Sequence, residues 1–139
     1  CYRDDGAAHL TFGRTGLLAA VHLPALPVGA VCAYRKARVR GSMDFPLAGV
    51  ALMLALREGR IAALRVGLSG TNSHPLLLAG TEALVDRAID EDAIALLGKL
   101  VGKQISPMRT TVTPSNYRRL VAVALAKRLL REGAAAAAA

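Results

Sequence analysis

Polar and apolar positions alternate from residue 31 to 40. Ala33, Arg35, Ala37 and Val39 fall on one side, and Tyr34, Lys36, Arg38 and Arg40 on the other. A period of two predicts an extended strand with half its side chains turned to solvent or to a ligand. From Phe45 the chain becomes wholly apolar as far as Leu56. Residues 47–56 and 61–69 form two apolar runs separated by Arg57-Glu58-Gly59-Arg60. A Glu-Gly pair between two such runs predicts a hairpin. Residues 47–56 are rich in Ala and Leu, so a helix competes with a strand there.

The flanking segments read differently. Asp4-Asp5-Gly6 is a turn signal between short segments. Residues 9–12 and 17–23 are predicted strands, the second ended by Pro24 and Pro27. Residues 67–75 are loop-like. Thr81 is expected to cap a short helix through Val85. Asp90 is expected to cap a second helix over 91–101, with Ile94, Leu97 and Val101 on one face. Ser106-Pro107 ends it, and Ser115 is expected to cap a helix over about 116–130. In that last helix Leu120, Val123, Ala124 and Leu129 are assigned to the core side. Arg118, Arg119, Lys127 and Arg128 are assigned to the outside. Strands first and helices last predict an α+β fold, a small antiparallel sheet with helices packed on one face.

Composition narrows the partners. The chain has 139 residues, enough for one domain. With no Trp, 2 Phe and 3 Tyr, its core must be aliphatic. A formal net charge of +8 points to nucleic acid, an anionic cofactor or an acidic protein surface. Aromatic residues at 4% leave little for base stacking, which disfavours nucleic acid. The cysteines, Cys1 and Cys32, make no disulfide framework, so a reducing, cytoplasmic setting is expected. Residues 1–10 show no signal-peptide pattern, and the apolar run at 47–56 is too short to span a bilayer.

Candidate chemistry centres on the strip where four cations fall in six positions, Arg35, Lys36, Arg38 and Arg40. It grips an anion or the electron-rich edge of a ring, or it is a solvated face with one ion pair, Arg40 with Asp44. Gly67-Leu68-Ser69-Gly70-Thr71-Asn72-Ser73-His74-Pro75 combines backbone freedom with small hydroxyls. It is a close-approach loop or a plain connector, and it lacks the Gly-Lys-Ser/Thr ending of a phosphate loop. His9, His22 and His74 lack metal-ligand spacing, and no catalytic Ser-His-Asp or Cys-His set can be assembled. Ser42, Ser69 and Ser106 read as turn or cap residues. Tyr117-Arg118-Arg119, with Arg109 nearby, forms a second basic patch.

These stretches, in this order, resemble a known family. Tyr34, Lys36, Arg40, Asp44 and Phe45 precede an apolar strand, a Glu-Gly hairpin and a second strand. A Gly-rich loop before Pro75, Glu82-Ala83-Leu84 and Tyr117-Arg118-Arg119 follow. Over residues 10–131 the pattern is similar to the C-terminal domain of the FAD-binding subunit of the molybdenum hydroxylases, which include xanthine and carbon monoxide dehydrogenases. Arg40-Gly41-Ser42-Met43-Asp44-Phe45-Pro46, the loop at 70–75 and the stretch at 103–110 resemble the 4-hydroxybenzoyl-CoA reductase branch, in its β subunit.

The resemblance implies an FAD-binding, electron-transferring subunit of a molybdenum-containing oxidoreductase. In that branch the reaction is reductive dehydroxylation of 4-hydroxybenzoyl-CoA in anaerobic aromatic degradation. It implies FAD held mainly by a domain outside this sequence, with no catalytic residue and no metal ligand here. Two flavin contacts carry over by position: Lys36 beside the isoalloxazine ring, and Leu18, six residues before Pro24, packed against it. The implied partners are a molybdenum-cofactor large subunit and a [2Fe-2S] small subunit in a dimer of heterotrimers. On this reading residues 1–30 are strands linking to the FAD-binding domain, 31–133 are the C-terminal domain, and 134–139 an alanine tail. The competing expectation is a basic module that docks an acidic protein or RNA and binds no flavin.

Overall fold

The computed structural model describes every residue except Arg14, Ser42, Val112, Ala138 and Ala139. Four strands form one antiparallel sheet: β1 (Val31–Ala37), β2 (Ala48–Arg57), β3 (Arg60–Ser69) and β4 (Leu76–Leu77), in that spatial order. A 3-10 turn at Thr81–Leu84 precedes α1 (Glu91–Gln104) and α2 (Ser115–Ala137). The expected α+β layout, a small antiparallel sheet with helices packed against it, is the one observed.

The run at 47–56 is a strand, not a helix. The turn after it decides the matter: Glu58 and Gly59 have φ of 52° and 74°, so both central residues are left-handed. That is the turn geometry whose twist matches a two-residue hairpin. Near this end the register shifts between Ala55 and Leu56, and Ala62 stands as an extra residue on β3. The bulge lets both Ile61 and Leu64, three apart in sequence, face the helices; they are 0% and 5% exposed.

One face of the sheet packs on the helices. Ala48, Val50, Leu52 and Leu54 from β2 and Ile61, Leu64, Val66 and Leu68 from β3 are buried there. Leu97 and Val101 of α1 and Ala122, Ala126, Leu129 and Leu130 of α2 close the core, which is wholly aliphatic. Asp90 caps α1 as expected, its Oδ1 accepting the Ala93 N–H at 2.8 Å. The helix runs to Gln104, three residues past the expected end, and Ile94, Leu97 and Val101 are buried.

Several expectations are corrected. Residues 17–23 form no strand and lie exposed, because β1, the sheet's edge, takes no partner there. Residues 9–12 contribute only the bridge between Tyr2 and Leu10. The turn between those two residues is present, with the Asp5 carboxylate accepting from the Ala7 and Ala8 N–H groups. Residues 67–69 belong to β3, so the loop starts at Gly70. Thr81 does not cap: Gly80, in left-handed conformation, holds that position without a side-chain bond. The last helix starts at Ser115 and continues through Gly133 to Ala137. Its core stripe is Ala122, Ala126, Leu129, Leu130 and Gly133, whereas Leu120 and Ala124 are exposed. Small residues face the sheet because the helix lies close to it. A Cβ on Gly133 would sit 3.3 Å from Leu54 and 3.5 Å from Leu52.

Candidate functional site

Strand β1 splits its cations between the two faces of the sheet. Residues directly opposite in an antiparallel pair share a face. Lys36 pairs with Gly49 and Gly49 with Ser69, while Arg35 pairs with Val50 of the buried face. Arg35 accordingly turns to the helices and forms an ion pair with Glu132 of α2 at 3.3 Å. Lys36 stands on the other face, which no helix covers.

That open face is shaped by small residues. Ala51 and Gly67 lie in one row across β2 and β3 between Tyr34 and Leu77, Gly49 lies in the next row between Lys36 and Ser69, and Cys32, Met53 and Arg65 form the row on the other side. Shallow depressions of about 410 Å³ and 370 Å³ run along it. Tyr34 leans across Gly49: a Cβ there would meet the Tyr34 hydroxyl at 2.8 Å and the Ser69 hydroxyl at 2.6 Å. At Gly67 a Cβ would meet nothing within 4 Å, so the surface is bare at that position. Lys36 stands at one end of this face. Its Nζ donates to the Asp44 carbonyl at 3.2 Å, which uses one of three ammonium donors.

Asp44 organises the turn beyond β1. Its carboxylate accepts from the Arg40 guanidinium at 3.1 Å and from the Arg40 backbone N–H at 3.0 Å. These two bonds, the side-chain one first, hold its carboxyl down at about 2. The ion pair expected between Arg40 and Asp44 is therefore present. Ser42, within that turn, lies outside the described residues.

Leu18 is placed in the irregular segment ahead of Pro24 and is 56% exposed. Neither Leu18 nor Lys36 lines the depressions on the sheet face. His9 stacks on Tyr2, His22 is exposed, and His74 stands 3.5 Å from the Asp4 carboxylate. Among the described residues, no group of three or more His, Cys, Asp or Glu is arranged to hold a metal, and no helix is long and apolar enough to cross a membrane.

Sequence reasoning missed two anchoring side chains. Arg118, assigned to the outside, turns inward and donates to the carbonyls of Leu47 and Gly70, each at 3.4 Å. Asn72 donates to the Gln104 carbonyl and accepts from the Ser106 N–H, tying the loop to the end of α1. The signal for Arg118 was its place at the head of a helix, where a cation opposes the dipole unless backbone carbonyls meet it.

Residues 32–133 match the family model of the CO dehydrogenase flavoprotein C-terminal domain. The chain belongs to that family. Several solved structures share its fold. A reconstituted CO dehydrogenase from Oligotropha carboxidovorans is 24% identical, with a TM-score of 0.76 over 81% of this chain and 40% of that one. A carbon monoxide dehydrogenase from Hydrogenophaga pseudoflava is 23% identical, with a TM-score of 0.76 over 82% and 40%. Quinoline 2-oxidoreductase from Pseudomonas putida 86 is 22% identical, with a TM-score of 0.73 over 80% and 39%. The chain thus spans about 40% of the length of the solved chains it matches.

Proposed function

We propose that this domain forms one wall of the flavin site in the electron-transfer subunit of a molybdenum-containing oxidoreductase. The observation that carries the proposal is the placement of Lys36 on the sheet face that no helix covers, the face that also carries Tyr34, Ala51 and the open Gly67. An aromatic ring needs a flat apolar surface and gains from a cation at its electron-rich edge. Tyr34, Ala51 and Gly67 supply the surface, and Lys36 the cation. Leu18, more than half exposed, has apolar area left for the same ring. FAD, when bound, supplies the exchange between electron pairs and single electrons, and most of its contacts lie in other parts of the subunit.

The further roles are proposals of the same kind. Residues 1–30 connect to the FAD-binding part, 31–133 form the domain, and 134–139 its tail. Electrons pass between an external carrier and the iron–sulfur clusters and molybdenum cofactor of partner subunits. The partners are a molybdenum-bearing large subunit and a [2Fe-2S] small subunit, assembled as a dimer of heterotrimers, with the surface around 109–119 as the docking face. The substrate is 4-hydroxybenzoyl-CoA, on the likeness of the stretches at 40–46, 70–75 and 103–110. Family membership favours this reading over a basic docking module.

The test is a redox titration of the complete flavin-loaded enzyme. A nearby ammonium favours the reduced, anionic ring. Lys36→Met is therefore expected to lower the flavin potential by about 30 mV or more, equivalent to about 1.4 kcal/mol for a two-electron couple. An unchanged potential removes Lys36 from the site.

A further inference from the structure

Acids are missing from two long stretches of the chain. Residues 6–43 and 93–131 contain no Asp or Glu. The two stretches meet where the turn after β1 lies against the segment leading into α2. There two adjoining depressions of about 420 Å³ and 490 Å³ share Val39, Leu47 and Thr113, and so form one groove. Leu47, which is buried, lies at its base, with Val39 and Phe45 from the turn and Tyr117 from α2 around it. Phe45 is 90% exposed, Val39 62% and Tyr117 51%. A single exposed apolar side chain is ordinary, but three around one groove mark a contact surface.

The charge of the groove says what it meets. Arg38, Arg40 and Arg118 line it, and Asp44 is the one acid among the described lining residues. The Asp44 carboxylate is already taken by the Arg40 guanidinium and the Arg40 backbone N–H. Arg118 donates to the neutral carbonyls of Leu47 and Gly70, which leave its charge uncancelled. Arg109, exposed, stands beside Thr110 of the lining. An aliphatic base of Leu47 and Val39 offers nothing to a phosphate backbone, whereas it suits an apolar side chain. An apolar centre inside a charged rim is the anatomy of a protein interface. We infer that this groove, within the docking face proposed above, takes a partner-protein segment in which an apolar side chain is flanked by Asp or Glu; the inference rests on that docking face and not on the flavin wall. The apolar side chain enters beside Phe45 and Tyr117, and the carboxylates meet Arg40 and Arg109.

The test is assembly of the complete flavoprotein subunit with its separately purified molybdenum-bearing and [2Fe-2S] partner subunits, the affinity being read at low and at high salt. Wild-type affinity is expected to fall about tenfold or more from low to high salt, because salt screens the rim. Phe45→Ser removes the apolar contact and is expected to weaken assembly about tenfold at both salts. Arg109→Glu is expected to weaken it about tenfold at low salt and little at high salt. Both side chains are exposed, so melting temperature and FAD content are expected to stay as in wild type. Unchanged affinity in either variant, or a wild-type affinity indifferent to salt, overturns the inference and leaves the docking of the subunits in place. Tighter binding of a single-stranded RNA oligonucleotide than of the subunits assigns the groove to nucleic acid and also overturns it. Failure of the wild-type subunit to assemble removes the docking face itself, while the flavin wall is judged separately by the potential of Lys36→Met.

Discussion

At the scale of single residues, the two charges that shape the end of β1 have separate jobs. Asp44 fixes the turn by taking two hydrogen bonds from Arg40, and its own carbonyl receives Lys36. Its carboxyl falls from the ordinary 3.8 to about 2. A carboxyl whose folded value lies below its unfolded value stabilises the fold above the unfolded value. That contribution is lost as pH drops through the folded value, so the window runs from 3.8 down to about 2. Denaturant unfolding across this window is expected to show a loss in wild type that Asp44→Asn lacks. The Asp5 and Glu132 carboxyls are also lowered, by the Ala8 N–H and by Arg128 respectively. Their losses are common to both proteins, so the difference isolates Asp44. The pairing of Arg40 with Asp44 was legible from a spacing of four. The inward turn of Arg118 was not, because its partners are main-chain carbonyls 48 and 71 residues away.

At the scale of elements, legibility followed how each segment meets its neighbours. The hairpin of β2 and β3 could be read because a turn pair separates two apolar runs. Its strand character was blurred because Ala51, Met53 and Ala55 make even the open face of β2 apolar, so alternation is hidden. Residues 17–23 look like a strand by composition, yet backbone pairing needs a partner and the edge of β1 gives none. In α2 the hydrophobic scale misled. Leu120 is 60% exposed while Ala122 and Ala126 are fully buried, because helix-to-sheet distance selects small side chains there. The turn at Glu58 offers a direct check. An L-residue other than Asn, Asp or Gly is strained at φ of 52°. Glu58→Asn is expected to raise stability by a few tenths to about 1 kcal/mol in chemical denaturation, with the sheet unchanged. A loss of stability would mean that the glutamate side chain offsets the backbone strain through a contact of its own.

For the molecule as a whole, the governing feature is a sheet covered on one side only. Both helices lie against the face that carries Val50, Leu52 and Leu54, and the face that carries Ala51 and Met53 is left bare within this chain. Adjacent residues on β2 therefore report on opposite environments. Leu54 is 0% exposed and faces α2 near Gly133, so Leu54→Ala should cost about 2–5 kcal/mol through lost transfer energy and an unfilled cavity. Met53 pairs with Cys32 and Arg65 on the open side, so Met53→Ala should cost about 0.5 kcal/mol or less. The contrast is measured by equilibrium unfolding of the two variants in the isolated chain. In the assembled flavoprotein the same pair should behave differently if the open face is a wall of the flavin site. Met53→Ala would then gain a cost that depends on FAD occupancy, whereas the cost of Leu54→Ala would stay as it was. Equal costs in the isolated chain would show that a second apolar layer already covers the open face, which would leave no room there for a ring beside Lys36.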